Sequence, residues 1–117
     1  MKYISFVVPC FNSEKYMEKC IDSLLMCGDD VEIIIVNDGS TDKTAEIAKN
    51  YLKNNSNIKF IDKENGGHGS GINAGLKICE GLYFKCVDSD DWIDFDAYKK
   101  LIKAIKDNYN KNTNPDL

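Results

Sequence analysis

Four short apolar runs alternate with stretches of helical periodicity along this chain, and that alternation restricts the possible folds more than any other feature. The runs occupy 4–9, 31–36, 58–61 and 83–87, and β-branched and aromatic residues dominate them. The first helical stretch carries apolar residues at i, i+3, i+4 and i+7 from Met17. Strand and helix alternating in this way predict an α/β fold, with a mainly parallel sheet of about four strands and helices on both faces.

Residues with capping chemistry precede the predicted helices. Ser13 is the candidate N-cap of the first helix, Ser40 or Thr41 that of the second, and Asp94 that of the last. The third helix is predicted from about Ile72, because the residues before it are rich in glycine, a poor helix former. Each predicted strand is therefore followed by a polar connection and then by a helix.

The sequence predicts one domain and a short polar segment. Residues 1–107 contain every predicted strand and helix, whereas 108–117 are rich in asparagine and predict a polar tail or a truncated linker. A chain of 117 residues is long enough to bury one small core. A truncated sheet would expose an apolar surface, through which the chain could form a homo-oligomer.

Composition argues against several functional classes. All 15 basic residues are lysines, the net charge is −4 and no dense basic patch is present, so no nucleic-acid partner is expected. No apolar run reaches membrane-spanning length or resembles a secretion signal, so we expect no transmembrane segment. Five cysteines without metal-binding spacing predict reduced thiols in a cytoplasmic protein: Cys10, Cys20, Cys27, Cys79 and Cys86.

The fourth apolar run leads into three aspartates, Asp88, Asp90 and Asp91, within four residues. Their negative charges repel one another, so a positive partner is expected nearby. A divalent cation such as Mn²⁺ or Mg²⁺ is the simplest partner, because hard cations prefer oxygen ligands and bridge carboxylates to phosphates. The alternative is a solvated acidic turn that precedes the last helix.

Polar residues collect where the predicted strands end. They are Asn12, Asp38, the loop 62–71 and the segment 88–91, and the carboxyl ends of parallel strands share one edge of a sheet. This combination suits a nucleotide, because Phe11 can stack on a base, Asp38 can accept hydrogen bonds from a base or ribose, and the glycine-rich loop can donate backbone N–H groups. In the alternative interpretation, Phe11 belongs to the core and Asp38 only stabilises its own turn.

Four other side chains near this edge have open roles. His68, the only histidine, lies between glycines and either contacts substrate or phosphate or is exposed in a loop. Lys63 is predicted to be an exposed loop residue. Asn73 can reach back from the third helix to the acidic turn, and Trp92 is predicted to anchor that turn by packing.

The segment 69–74 also fits the pattern GxGxxA, which binds phosphates in dinucleotide-dependent enzymes. In that pattern the glycines directly follow a strand. Here the segment 62–68 intervenes, and Asp90 and Asp91 would have no role. An NAD-dependent oxidoreductase is therefore the weaker alternative.

Five motifs follow one another along the chain: VVPCFN at 7–12, IVNDGSTD at 35–42, NGG at 65–67, INAG at 72–75 and VDSDDW at 87–92. In order and spacing they resemble the motifs of family 2 glycosyltransferases with the GT-A fold. The resemblance extends from Tyr3 to about Ile105 and implies the Rossmann-like, nucleotide-binding half of that fold.

The resemblance implies a function in polysaccharide biosynthesis: an inverting transfer of a hexosyl or N-acetylhexosaminyl group from a nucleotide diphosphate sugar, usually a UDP-sugar. The acceptor would be a hydroxyl of a saccharide or of a lipid-linked acceptor. The full-length protein would then lie in the cytoplasm or at the inner face of the membrane.

The resemblance also implies roles for individual residues. Asp88, Ser89 and Asp90 match the family's DXD motif, which makes Asp88, Asp90 and Asp91 the catalytic candidates and Asp90 and Asp91 the metal ligands. Asp88 and Ser89 would lie nearer the ribose. The remaining candidates for donor binding are Pro9, Phe11, Asn12, Asp38, Gly67, His68 and Asn73.

Two departures from the family pattern bear on activity. Many members carry Ala-Arg-Asn where this chain has Gly-Ile-Asn at 71–73, so a cationic contact to the diphosphate is absent there, and Lys63 or His68 is the candidate replacement. Family catalytic domains also continue past this length, and their general base follows the metal motif. Since no residue after Asp96 suits that role, we expect a donor-binding portion without its general base. A nucleotide-binding module without catalysis is the alternative.

Overall fold

The computed structural model describes residues 1–113 as a four-stranded sheet with helices on both of its faces. A single 3-10 turn, Gly28–Asp30, precedes the second strand. In chain order the elements are β1 (Ile4–Cys10), α1 (Met17–Leu25), β2 (Val31–Asp38), α2 (Thr44–Asn54), β3 (Ile58–Lys63), α3 (His68–Leu76), β4 (Tyr83–Cys86) and α4 (Phe95–Thr113).

The sheet has the strand order β3-β2-β1-β4, and all neighbouring strands are parallel. The predicted α/β architecture is therefore confirmed. The chain first adds β2 and β3 on one side of β1, and α3 then carries it across the sheet to place β4 on the other side. The direction of strand addition thus reverses between β1 and β4, which is where open α/β sheets form a crevice at the carboxyl ends of their strands.

Two hydrophobic clusters of unequal size cover the two faces. The larger cluster joins alternate residues of β1 and β2, such as Phe6 and Ile33, to the apolar sides of α1, α2 and α4. The smaller cluster consists of Val7, Ile34 and Val36, with Ala74 of α3 packed against it. Because strand side chains alternate between faces, α3 covers one face while the other three helices cover the opposite one.

Several predicted element ends are wrong by a few residues. β1 was predicted to end at Pro9, but it continues to Cys10. The backbone groups of Val7 face β4, since Val87 N–H donates to Val7 O, and those of residue 9 face the same way. β4 has already ended at that level, so the missing N–H of Pro9 leaves no hydrogen bond of the sheet unmade. α1 begins at Met17 rather than directly after Ser13. α2 begins at Thr44, later than the predicted caps Ser40 and Thr41 imply. The N–H and the hydroxyl of Thr44 both donate to Asp42 Oδ1, at 2.9 and 2.6 Å.

Two further helix starts concern the site directly. α3 begins at His68, four residues before the predicted start, because Gly67 with φ +91° turns the chain into the helix. The predicted cap of α4 is confirmed, since Asp94 Oδ1 accepts the N–H groups of Asp96 and Ala97.

The segment from 108 onward was predicted to be a polar tail, but α4 continues through it as far as Thr113. The remaining four residues, 114–117, lie outside the described part of the chain. Tyr109 contributes to this extension, because its ring meets the ring of Tyr3 edge to face, with 6.0 Å between centroids. None of the helices within 1–113 combines the length and the apolar character that crossing a membrane requires.

A polar network fixes the amino-terminal end of β4. Glu32 is buried in β2, accepts hydrogen bonds from the Ser5 hydroxyl and the Glu80 N–H, and pairs with Lys59 at 2.8 Å. Burial alone would raise the pKa of Glu32, but these three partners outweigh it and lower the pKa. The α3–β4 connection is therefore held against the sheet by an ionised carboxylate, which sets where β4 begins.

Candidate functional site

The acidic segment forms a tight turn directly after β4. Asp91 N–H donates to Asp88 O at 2.9 Å, and Ile93 N–H donates to Ser23 Oγ of α1 at 3.0 Å. The Cys20 thiol lies 3.6 Å from Asp88 O. The turn is thus fixed between β4 and α1, which holds its carboxylates in place before any ligand binds.

The three carboxylates of this turn converge. Asp88, Asp90 and Asp91 are all exposed, and one oxygen from each lies within 4.8 Å of the others. This separation allows one cation to contact all three groups, and the donor set contains only hard oxygen atoms. The residues present therefore fit a divalent Mn²⁺- or Mg²⁺-type ion. Their negative field reaches inward, since burial and the carboxylates of Asp91, Asp90 and Asp88 raise the pKa of Cys20 to about 12.

A hydroxyl pair joins the acidic turn to the loop after β1. Ser13 Oγ lies 2.7 Å from Ser89 Oγ, and Ser13 Oγ also donates to Phe11 O at 3.2 Å. The Ser13 N–H donates to Thr44 Oγ1. Ser13 was predicted to cap α1, whereas its hydroxyl instead connects two loops of the candidate site, a role that no local sequence signal indicates.

Asp38 organises the turn that precedes α3. Its Oδ1 accepts hydrogen bonds from Lys63 Nζ at 2.8 Å and from Gly66 N–H at 2.9 Å, and its Oδ2 accepts one from Gly67 N–H at 3.1 Å. These three donors, with Lys63 as the largest contributor, lower the pKa of Asp38. The backbone donors of the glycine-rich loop, which were predicted to bind a ligand, are therefore satisfied by Asp38 at these two positions.

Lys63 was predicted to be an exposed loop residue, and that prediction is wrong. It is the last residue of β3, lies opposite Asp38 in the register of the sheet, and keeps a side-chain exposure of 21%. The pairing joins two strand ends that are 25 residues apart in the chain. Its ammonium group is thus occupied by Asp38 and by Glu64 O.

Two adjoining hollows lie between the Asp38 turn and the acidic turn. The first, of about 240 Å³, is lined by Asp38 and by Phe11, which is 53% exposed. The second, of about 280 Å³, extends from Phe11 to the acidic turn. Both are lined by Pro9, Phe11 and His68; the first adds Cys10, Asp38, Asn65 and Gly67, and the second adds Asn12, Ser13, Tyr16, Asp88, Ser89 and Asp90.

His68 lies between these hollows at the start of α3. Its side chain is 62% exposed, and its Nε2 lies 3.6 Å from Asp88 Oδ1. Asn12 has φ +47° and uses its side-chain oxygen to accept the Thr41 N–H at 2.8 Å. Asn73 is exposed on α3 and lines neither hollow. The structure thus brings together all the candidate binding residues except Asn73, whose role stays a prediction.

Trp92 does not act as the packing anchor that the sequence predicts. Its side chain is 57% exposed, and the Lys19 ammonium lies 3.4 Å from the centroid of its ring. A cation over an aromatic face is attracted by the ring's electron density. Trp92 therefore places a positive charge beside the acidic turn, while Cys20 and Ser23 anchor the turn itself.

The dinucleotide-binding alternative conflicts with this geometry. Gly69 and Gly71 lie inside α3, whereas the fingerprint requires the glycines in the turn directly after a strand. The turn that does precede α3 binds the Asp38 carboxylate. The sequence pattern GxGxxA is therefore present without the structure that gives it its function.

Some residues of the site are absent from the sequence-based predictions. Tyr16 and Asn65 line the two hollows, and Cys86 lies close to His68 and Asp88. The position of Tyr16 ahead of α1 and that of Asn65 beside the glycines were available signals. No pattern pointed to Cys86, because a cysteine in an apolar strand resembles an ordinary core residue.

Comparison with known proteins places these features in a family. The model of the family described as "Glycosyl transferase family 2" matches residues 5–113. Among curated proteins, the chain is 41% identical over 106 residues to "Uncharacterized glycosyltransferase EpsJ" of Bacillus subtilis, covering 90% of this chain and 31% of that protein. It is 42% identical over 103 residues to "Glycosyltransferase GlyA" of Streptococcus pneumoniae, covering 87% of this chain and 15% of that protein.

A solved structure has the same architecture. The S. aureus TarS 1-349 structure in complex with UDP superposes with a TM-score of 0.81 at 35% identity, and the match covers 92% of this chain and 32% of that one. The chain therefore spans about a third or less of each of these three relatives.

Proposed function

Because this chain belongs to glycosyl transferase family 2, we propose that it is the donor-binding portion of an inverting glycosyltransferase that takes a nucleotide diphosphate sugar. The observation that carries the proposal is one sheet edge with an exposed aromatic ring at Phe11, a buried carboxylate at Asp38 and three clustered carboxylates after β4. An aromatic ring and a carboxylate acceptor suit a base, and clustered carboxylates suit a diphosphate through a bridging divalent cation.

The hydrogen bonding of Asp38 favours uracil as the base. A carboxylate has about four lone-pair positions, and three of those on Asp38 already accept internal donors. The remaining position is on Oδ2, and Asp38 and Phe11 both line the first hollow. Uracil offers one ring N–H, whereas guanine offers a ring N–H and an amino group on the same edge. A single acceptor therefore matches uracil, and the solved UDP complex of TarS supports the same assignment.

The acidic turn is the proposed site for the diphosphate and its cation. Asp90 and Asp91 would hold Mn²⁺ or Mg²⁺, with Asp88 and Ser89 nearer the ribose. When bound, the cation supplies electrostatic stabilisation of the diphosphate as it leaves. The chain's own contribution is to fix the carboxylates through Cys20 and Ser23, so that they need no rearrangement when the donor enters.

The general base is proposed to come from outside residues 1–113, because no acidic residue of α4 lines either hollow. A saccharide or a lipid-linked acceptor would bind next to the second hollow, where Tyr16 and Asp90 face solvent. Of the acidic residues on α4, Asp96 and Asp107 pair with Lys99 and Lys103, and neither lines either hollow.

The free state of all five cysteines is compatible with the proposed cytoplasmic location.

Calorimetric titration of UDP into the 117-residue chain tests this proposal, first with Mn²⁺ and then with EDTA. We expect UDP binding that is stronger with Mn²⁺ than with EDTA, weaker binding of GDP, and no binding of NAD. Asp90→Asn should remove the effect of Mn²⁺ while leaving the metal-free titration unchanged. The proposal is wrong if UDP fails to bind in both buffers or binds equally well to Asp90→Asn with Mn²⁺.

A nucleotide-binding module without catalysis is the second candidate, favoured by the lack of a plausible base on α4. The two candidates share the UDP titration, and neither predicts turnover by this chain alone. Incubation of the chain with a labelled UDP-sugar and oligosaccharide acceptors distinguishes them from a complete transferase. Transfer of label to an acceptor would contradict the placement of the base outside this chain.

A further inference from the structure

A second group of metal-ligating atoms lies beside the acidic turn and contains nitrogen and sulphur. One ligand atom each from His68, Cys86 and Asp88 lies within 4.8 Å of the other two. Asp88 is shared with the oxygen-only triad, whereas His68 and Cys86 belong to the mixed group alone. The chemistry of the two groups therefore differs, although they lie side by side.

The fold brings these three residues together from two elements. Cys86 is the last residue of β4 and lies opposite Val7 in the sheet, so both side chains point to the same face. α3 covers that face, and Gly75 approaches so closely that an added Cβ would lie 2.5 Å from Val7 Cγ1. The half-buried thiol of Cys86 thus faces the helix whose first residue is His68.

The distances suit a small tetrahedral ion better than a direct contact. His68 Nε2 and Asp88 Oδ1 are 3.6 Å apart, which exceeds the usual length of a hydrogen bond. Around tetrahedral zinc, with bonds of about 2.0–2.2 Å to nitrogen and oxygen, two such ligand atoms are separated by about 3.4 Å. The ligand atoms of His68 and Asp88 would therefore need only a small movement to share one ion.

We propose that His68, Cys86 and Asp88 bind a borderline divalent ion of the zinc class. Thiolate and imidazole ligands favour zinc over Mg²⁺ and Mn²⁺, which prefer oxygen. The Cys86 thiol binds as thiolate and releases its proton to solvent. His68 and Asp88 are 62% and 56% exposed, so the fourth coordination position is open to water or to an oxygen atom of a ligand.

Because Asp88 belongs to both groups of ligand atoms, zinc bound to the mixed group should affect nucleotide binding. An ion held by His68 and Cys86 takes Asp88 away from the oxygen-only triad and places a second positive charge beside it. Zinc should then compete with Mn²⁺ in the UDP titration. This consequence rests on the proposed function, whereas the binding of zinc itself does not.

Titration of Co²⁺ into the reduced, metal-free chain without nucleotide tests the site, because cobalt replaces zinc and reports its ligands by absorption. We expect the visible bands of tetrahedral cobalt, a near-ultraviolet band from thiolate-to-cobalt charge transfer, and loss of both when Zn²⁺ is added. Cys86→Ser should abolish the charge-transfer band, and His68→Asn should weaken cobalt binding by about 100-fold or more, beyond the effect of losing an outer-sphere partner.

Two further variants make the result specific. Cys79→Ser removes a half-buried cysteine near the other end of α3 and should keep the full cobalt spectrum. Asp90→Ala disrupts the oxygen-only triad and should keep the charge-transfer band. The proposal is overturned if wild-type chain gives only the weak bands of octahedral cobalt, or if the charge-transfer band persists in Cys86→Ser. These outcomes are independent of whether UDP binds.

Discussion

Lys63 lies directly opposite Asp38 in the register of β3 and β2, and its Nζ is 2.8 Å from Asp38 Oδ1. The pair lies at the carboxyl ends of both strands, where the chain turns toward α3. Asp38 uses its other hydrogen bonds to hold Gly66 and Gly67. One carboxylate therefore joins two strands and a turn, and the shape of the first hollow depends on it.

Asp38→Asn should lower the free energy of unfolding by about 1.5–3 kcal/mol, because the variant loses a charge-assisted hydrogen bond and leaves buried donors poorly satisfied. Urea denaturation followed by circular dichroism measures the change. Asp107→Asn is the matched control, since its carboxylate pairs with Lys103 on the exposed surface of α4. That control should change stability by less than about 0.5 kcal/mol. Equal effects of the two variants would contradict the role assigned to Asp38.

The lowered pKa of Asp38 predicts how stability depends on pH. The folded chain holds the carboxylate ionised at pH values where the unfolded chain, with a pKa near 3.8, binds a proton. The contribution of Asp38 to stability is therefore complete above pH 3.8 and decreases as the pH falls through the lowered value. Urea denaturation of wild type and Asp38→Asn at a series of acidic pH values measures this. The stability difference between them should shrink as pH falls, and a constant difference would contradict the prediction.

Two glycines of α3 should respond oppositely to alanine. At Gly75 an added methyl group would lie 2.5 Å from Val7 Cγ1, so Gly75→Ala should destabilise the chain by about 1–3 kcal/mol. At Gly69 an added methyl group meets no atom within 4 Å, and Gly69→Ala should be neutral or stabilising by up to about 1 kcal/mol. Thermal or urea denaturation compares the two. Similar losses at both positions would show that α3 does not pack as described.

Phe11→Ala should weaken UDP binding by about 1–3 kcal/mol if the ring stacks on the base, the usual magnitude for an aromatic–base contact. The loss should be the same with Mn²⁺ and with EDTA, because stacking does not involve the metal. Tyr83→Ala is the matched control: Tyr83 is 50% exposed, similar to Phe11 at 53%, but lines an apolar hollow between β4 and α4. A loss of affinity in Tyr83→Ala but not in Phe11→Ala would place the base elsewhere.

The order of the elements was predictable because each strand and each helix has its own local pattern. The run 31–36 is almost wholly apolar, as a strand covered on both faces requires, and β2 is buried throughout its length. The residues of the acidic turn were predictable for a similar reason, because three neighbouring carboxylates repel one another and so indicate a cation partner. Local chemistry thus predicted most of the residues that meet at this edge of the sheet, but it did not predict Tyr16, Asn65 or Cys86.

The contacts across the sheet were not predictable from the sequence. The pairing of Lys63 with Asp38 depends on the register of β3 against β2, and the proximity of Cys86 to His68 depends on β4 joining the opposite edge. The start of α3 at His68 was missed because glycine has a low helix propensity, whereas Gly67 at positive φ makes the turn that starts this helix. Strand pairing and the turn at Gly67 therefore fixed contacts and a helix start that the residue preferences of the sequence do not specify.

The unequal covering of the two faces has a dynamic consequence. α3 and Cys79 just after it cover the small cluster of Val7, Ile34 and Val36, whereas α1, α2 and α4 share the larger cluster on the other face. Local opening of a protein begins where the least apolar surface is buried. The amide hydrogens of α3 should therefore exchange with solvent before those of β1 and β2. Each such opening would separate His68 from Asp88 while leaving the acidic turn attached to β4. The part of the site on α3 should therefore have a shorter lifetime than the part on the acidic turn.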